Sequence, residues 1–143
     1  MSFDLKLIAG DLIIKNGDLD IVEGSDKLVQ DVLKLISTPL GSNPFFPAYG
    51  SPISKALIGK IYEQEFLEDI ATHQLKSSIE RLQQLQLEQL KQNQAVTPDE
   101  QIAVIENIKV SQARNDSRYY LIYLTVISKS FQRIPISFGI DTF

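Results

Sequence analysis

The side chains best spaced for chemistry in this sequence are four carboxylates within seven positions: Glu63, Glu65, Glu68 and Asp69. Two carboxylates can cleave a glycosidic bond or hold a metal ion. The same residues also open a long helical pattern. Negative charge there complements the helix dipole, so a solvated helix start explains them without any reaction. His73 is the only histidine and there is no cysteine. Thiolate metal sites and disulfides are therefore excluded, and no HExxH or His-x-His spacing offers zinc a ligand set. Nucleophilic catalysis lacks a G-x-S-x-G elbow, and any Ser-His-Asp triad would have to use His73. Neither glycine-rich phosphate loop occurs. Arg114, Arg118, Lys129 and Arg133 lie near Tyr119, Tyr120 and Tyr123, a pairing that suits single-strand stacking. Aromatics in strands more often pack across a sheet. No catalytic, cofactor-binding or metal-binding residue is assigned, and no cofactor is expected.

The elements that would carry these residues form one domain over 1–143, a length that leaves little room for two. Hydrophobic residues make up 43% and charged residues 22%, with a net charge of −4. With no basic stripe, a nucleic-acid partner is not expected. The apolar runs fall far short of the ~20 residues needed to span a bilayer, so no membrane is expected. The first residues lack the basic and apolar regions of a secretory signal.

Apolar runs at 5–8, 12–14 and 19–22 surround Lys15-Asn16-Gly17-Asp18. Asn-Gly between apolar runs predicts a β-hairpin with a type I′ turn, preceded by a further short strand. Ser25 or Asp26 is the expected N-cap of a helix whose face is Leu28, Val29, Val32, Leu33, Leu35 and Ile36. Pro39 ends it. A short helical turn is expected over 52–59. The stripe Leu67, Ala71, Leu75, Ile79 and Leu82 predicts a long amphipathic helix over 62–94. Its Gln- and Leu-rich end is expected to project, leaving Leu85, Leu87 and Leu90 for another protein or for an intermolecular bundle. Thr97-Pro98-Asp99-Glu100 reads as a capping box and a helical turn. Strands are expected over 102–110, 119–127 and 131–140, with Arg114–Ser117 as a turn and Pro135 marking an edge. No internal repeat is apparent. The fold class is α+β: an N-terminal hairpin, two helices, and C-terminal antiparallel or mixed strands packed on them.

Thr38 to Ser51 holds three of the six prolines and two of the seven glycines. Each proline fixes φ and restrains the residue before it. Gly41 and Gly50 can supply positive φ. Phe45, Phe46 and Tyr49 are apolar enough to pack, so the segment reads as a stiff loop that presents a surface. Pro44, Phe45, Phe46 and Tyr49, with Leu85 and Leu90 of the long helix, are the candidate partner-binding residues.

Asp4-Leu5-Lys6-Leu7, Asn16-Gly17-Asp18-Leu19, Leu28-Val29-Gln30-Asp31-Val32-Leu33 and the loop from Thr38-Pro39-Leu40-Gly41 to Tyr49-Gly50-Ser51 occur in the order found in one family. Over about residues 4–60 the chain resembles the W-type phage baseplate wedge proteins, or sheath initiators. A relative of that family serves in type VI secretion systems. The resemblance implies a small α/β domain with a structural role, beside the tube in the baseplate of a contractile tail. Implied partners are baseplate wedge proteins, the tail sheath protein, and tube or hub proteins, in multiple copies within a symmetric assembly. Many members carry a Glu-Pro-Arg motif that contacts wedge partners. Here Thr97-Pro98-Asp99-Glu100-Gln101 stands in the comparable place, so Pro98 and Glu100 join the candidate contacts. The terminal strands, about 118–140, are expected to extend to partners and to seed the first sheath ring by β-augmentation. Tyr120, Ile122, Phe131, Ile136 and Phe138 are the candidates there. The implied location is the virion tail baseplate, after synthesis in the host cytoplasm. Some members are labelled lysozyme-like. The expectation is a non-enzymatic subunit; the alternatives are a peptidoglycan glycosidase using Glu63 or Glu65, and an adaptor dimerising through Leu82–Leu90.

Overall fold

Two small hairpins open the chain, enclosed by a third two-stranded ladder, and the three registers are related by steps of seven. The computed structural model describes residues 3–8, 11–53, 64–92, 96–113, 115 and 119–141. Strands β1 (Phe3–Leu5) and β6 (Ile21–Glu23) pair, as do β2 (Leu7–Ile8) with β3 (Asp11–Leu12), and β4 (Ile14–Lys15) with β5 (Asp18–Leu19). Leu7 faces Leu12, Ile14 faces Leu19, and Ile21 returns to face Leu5. Adding seven to the first pair gives the second, and the third closes the ring. Two corner bonds obey the same step: Asp20 N–H donates to Ile13 O at 2.8 Å, and Lys6 N–H to Asp20 O at 2.9 Å.

The repeat is in the sequence as Asp-Leu-x-(Leu/Ile)-x-x-Gly, beginning at Asp4, Asp11 and Asp18. Each of these aspartates accepts the N–H of the leucine after it, at 2.8, 2.9 and 2.8 Å. The expectation of no internal repeat is thus overturned. A unit of seven is shorter than the solenoid periods usually sought, and because seven residues are also two helical turns, the spacing does not by itself mark a strand repeat. The type I′ turn at Asn16-Gly17 is present, with φ of 53° and 80°. Asn tolerates this left-handed backbone and Gly adopts it freely.

Helix α1 (Gly24–Ser37) starts one repeat later, where the third turn would fall. Its N-cap is Glu23, without a side-chain bond, and not Ser25 or Asp26. Pairing of Glu23 with Phe3 holds the strand up to that residue, so the helix starts at once after it. Thr38 is extended, φ −85° and ψ 122°, as a residue before proline should be. Leu28, Val32, Leu35 and Ile36 are buried, with Val29 and Leu33 packed against the same core.

Helix α2 (Gln64–Lys91) buries Leu67, Ala71, Leu75, Ile79 and Leu82, the stripe read from the sequence. Removing a side chain such as Leu75 should cost about 2–5 kcal/mol. The far end does not project freely as far as Gln86. Gln86 continues the buried stripe, donating to Glu100 O at 2.9 Å and accepting from Ile102 N–H at 3.0 Å. Gln83 donates to Ala103 O at 2.7 Å. The glutamines thus fasten the helix to the backbone beyond a 3₁₀ turn, Pro98–Glu100.

That turn leads into an antiparallel sheet ordered β7 (Ile102–Gln112), β8 (Tyr119–Ser128), β9 (Arg133–Asp141). Alternate residues of β8, from Tyr120 to Ser128, are buried. In β7 the register shifts between Glu106 and Lys109, around Asn107 at φ 56°. This bulge explains why Ile105 and Val110 are both buried despite their odd spacing. One hydrophobic cluster joins α1, α2, Ile53 and the sheet. The α+β class is as read from the sequence. The helical turn expected over 52–59 and the turn 114–117 lie almost wholly outside the described residues.

Candidate interaction site

The loop after α1 is closed at its neck by the backbone. Ser51 N–H donates to Thr38 O at 2.9 Å, and Leu40 N–H to Ser51 O at 3.2 Å. Arg81 of α2 adds a bond to Gly50 O at 3.2 Å. Gly50 has φ +114°, and a β-carbon on it would stand 2.6 Å from Thr38 O and 2.9 Å from Pro39 O. Only glycine fits so close to two carbonyls. Within the loop, Ser42 N–H bonds Pro39 O, Phe46 N–H bonds Asn43 O, and Tyr49 N–H bonds Phe46 O, at 3.0–3.2 Å. The Asn43 side chain accepts from Phe45 N–H at 3.0 Å. Such turns within a closed neck make an Ω-loop of fixed shape.

The stiffness serves display. Phe45 is 86% exposed and Phe46 62%, whereas Tyr49 packs against the core. A 200 Å³ pocket is lined by Phe45, Phe46, Pro47, Ala48, Tyr49 and Leu85. The structure therefore brings the aromatic loop and Leu85, chosen separately from the sequence, to one place. Pro44 is exposed in the same loop. Leu90, exposed on the last turn of α2, does not line this pocket, nor do exposed Pro98 and Phe131. Phe131 lies in the β8–β9 turn with φ 66° and is 89% exposed.

Other candidates are placed differently. Glu100 is 1% exposed, and its carboxylate accepts from Thr97 N–H at 3.3 Å, so it closes its own turn instead of facing outward. Tyr120 and Ile122 are buried on the central strand β8, whose two sides are already paired. Ile136 is buried and Phe138 half-buried against the helices. The side chains of Tyr120, Ile122 and Ile136, expected at a partner contact, are thus committed to this chain's own core, and that of Phe138 packs against it. What β9 does offer is backbone. Ser128 N–H bonds Gln132 O at 3.0 Å, and antiparallel alternation then turns the peptide groups of Arg133, Pro135, Ser137 and Gly139 away from β8. Pro135, which has no N–H, sits where none is needed by the ladder.

A charged knot ties the hairpins to α1. Gln30 accepts from Leu7 N–H at 2.9 Å and donates to Leu5 O at 2.8 Å and to Asp4 at 3.1 Å. Lys34 reaches Asp4 at 2.7 Å, and Lys27 reaches Asp31 at 2.6 Å. Burial works against the Asp4 carboxylate, but bonding and attraction from Lys34 outweigh it and hold its pKa below the ordinary value. Burial likewise opposes the Lys34 charge, and Asp4 reverses this, raising its pKa. For Asp31 burial prevails over Lys27 and the pKa rises. Burial also raises that of Tyr49.

Among the described residues no cluster of His, Asp and Glu could hold a metal ion, and no helix is long and apolar enough to cross a membrane. Glu63 lies outside the described residues, as does the side chain of Glu65. Sequence reasoning missed the apolar faces of the three ladders; the seven-residue Asp-Leu repeat was the signal that could have found them.

The fold is shared. A crystal structure from Geobacter sulfurreducens, of a protein provisionally named a tail lysozyme, superposes with a TM-score of 0.59. The alignment covers 81% of this chain and 88% of that one, at 11% identity, which establishes likeness of fold alone. No family model matches the sequence, and no curated protein is similar to it.

Proposed function

We propose that this chain is a structural subunit of a contractile phage tail or a related injection machine. It joins its neighbours in the baseplate through the Phe45–Phe46 loop and the exposed end of α2. It also offers the open edge of β9 to a strand of the sheath protein. The observation that carries this reading is the locked Ω-loop, whose neck spends three hydrogen bonds on holding two phenylalanines in water. Exposed apolar side chains on a rigid mount favour protein contact over catalysis. The tail-related name of the fold neighbour and the family motifs of residues 4–60 support the same reading.

The β9 edge suits strand addition because its outward peptide groups are regular from Ile136 on, whereas the bulge of β7 disfavours pairing on the other edge. Removing residues 129–143 would strip Ile136 and Ile140 from the core, so a point change is the cleaner test. Ser137→Pro deletes an outward donor and leaves the ladder to β8 intact. It should abolish sheath assembly by a folded protein; sheathed tails of normal length would rule out the strand template.

A second reading, peptidoglycan hydrolysis, is favoured by the neighbour's name. Clearing of a peptidoglycan gel by the purified protein, lost in Glu63→Gln or Glu65→Gln, would support it. Absence of clearing would leave the structural role.

A further inference from the structure

The three N-terminal ladders carry a surface that the loop and the β9 edge do not involve. Each of the three ladders (two hairpins and the β1–β6 pair that encloses them) sets two large apolar residues directly opposite: Leu5 with Ile21, Leu7 with Leu12, and Ile14 with Leu19. Directly opposed residues point to the same face of their own ladder, and Leu7 and Ile21, from two different ladders, meet in one groove. Five of the six are exposed, Ile14 by 72%, and Leu7 is half-buried. Monomer stability gives no reason for a threefold repetition of leucine and isoleucine in water. Groups of apolar residues left exposed in this way mark contact sites.

Charge says what would cover them. Residues 3–26 hold six carboxylates and two lysines, whereas the rest of the chain is balanced, so the whole net charge of −4 resides in this segment. A groove of about 590 Å³ continues the surface between the hairpins and α1. It is lined by Leu7, Ile21, Val29 and Leu33 together with two carboxylates, Glu23 and Asp26, and one lysine, Lys6, which is paired with Asp20. Nucleic acid and anionic lipid would be repelled by such a surface. A second copy would bring the same charge to the same face. We infer that the three-ladder face docks a segment of another polypeptide that carries apolar side chains interleaved with lysine or arginine. The apolar residues supply the buried area, and the acidic rim steers approach and sets the orientation.

The inference is independent of the tail reading, because it concerns a different surface and is tested with a defined probe. The full chain is titrated with a Leu/Lys alternating peptide and with its Leu/Glu counterpart, followed by fluorescence anisotropy and by amide NMR shifts. The Leu/Lys peptide should bind saturably, with shifts centred on residues 4–26. Raising salt from 50 to 500 mM should weaken it about tenfold. Ile14→Ser should abolish binding, with Leu12→Ser as a second variant should the first fail to fold. Asp11→Asn with Asp18→Asn, which keeps an acceptor for the Leu12 and Leu19 N–H groups, should weaken it about fivefold. Equal binding of both peptides, no saturable binding of the Leu/Lys peptide, or shifts centred elsewhere would overturn the inference. So would self-association of the protein that Ile14→Ser removes.

Discussion

The Tyr119 ring occupies the space in which Gly139 would carry a β-carbon: its Cε2 lies 2.9 Å from that position, and its hydroxyl is closer still. Tyr119 is paired with Asp141, so the ring reaches diagonally over the neighbouring strand and covers the glycine. Gly139→Ala must displace the ring, at a cost of about 1–3 kcal/mol in urea denaturation. In Tyr119→Ala, which vacates the space, the same change should cost much less, and the double-mutant cycle should be strongly non-additive.

The loop neck has a similar dependence on one glycine. Gly50→Ala combines an unfavourable φ with a β-carbon against two carbonyl oxygens. Thermal denaturation should register a loss of about 2–4 kcal/mol. Phe45→Ser with Phe46→Ser should leave the midpoint almost unchanged, since both rings are already in water.

Gln86 satisfies a donor and an acceptor with one side chain. Gln86→Leu keeps the volume and orphans the Ile102 N–H, so it should destabilise by about 1–3 kcal/mol despite being more apolar. A stability equal to or above that of the parent would show that the fastening is dispensable.

Acid and alkali should separate the charged groups of the knot. Asp4 has a lowered pKa, so its contribution is present above its unfolded value and lost as pH falls through a folded value below 3.8. Lys34 has a raised pKa, so its contribution is complete below 10.5 and lost as pH rises through a folded value above that. Asp31 runs the other way. Its raised pKa means the folded state holds that proton more tightly, so acidification through the folded value stabilises. Asp4→Asn should therefore cost about 0.5 kcal/mol at pH 7 for this partly exposed pair and progressively less below pH 3. A cost that persists undiminished in acid would contradict the pairing with Lys34.

Features set by local rules were legible in the sequence. The α2 stripe, the apolar face of α1, the Asn16-Gly17 turn and the β-branched and aromatic run of β8 each follow from one local rule, and each stands in the structure. Glu100 and Gln86 were not legible, because a glutamate at a capping position and a glutamine in a polar helix read as surface until the backbone groups they serve are seen. The candidate site was half legible. Phe45, Phe46 and Leu85 were chosen for excess apolarity, and the two phenylalanines are exposed, whereas Tyr120, Ile122 and Ile136 were chosen by strand membership alone and lie in the core. Exposure in a strand depends on which face the register buries, and one sequence does not fix that for a sheet with a bulge in its first strand.

We propose that this chain joins its neighbours in a tail through the loop and the β9 edge. The most direct test is electron microscopy of particles from the producing cells, with the native gene replaced by Ser137→Pro or by Phe45→Ser with Phe46→Ser. The account predicts contractile tails with the parent gene and no sheathed tails with either variant, each variant being folded by circular dichroism. Normal-length sheathed tails from both variants, or no tail particles from the parent, would contradict it.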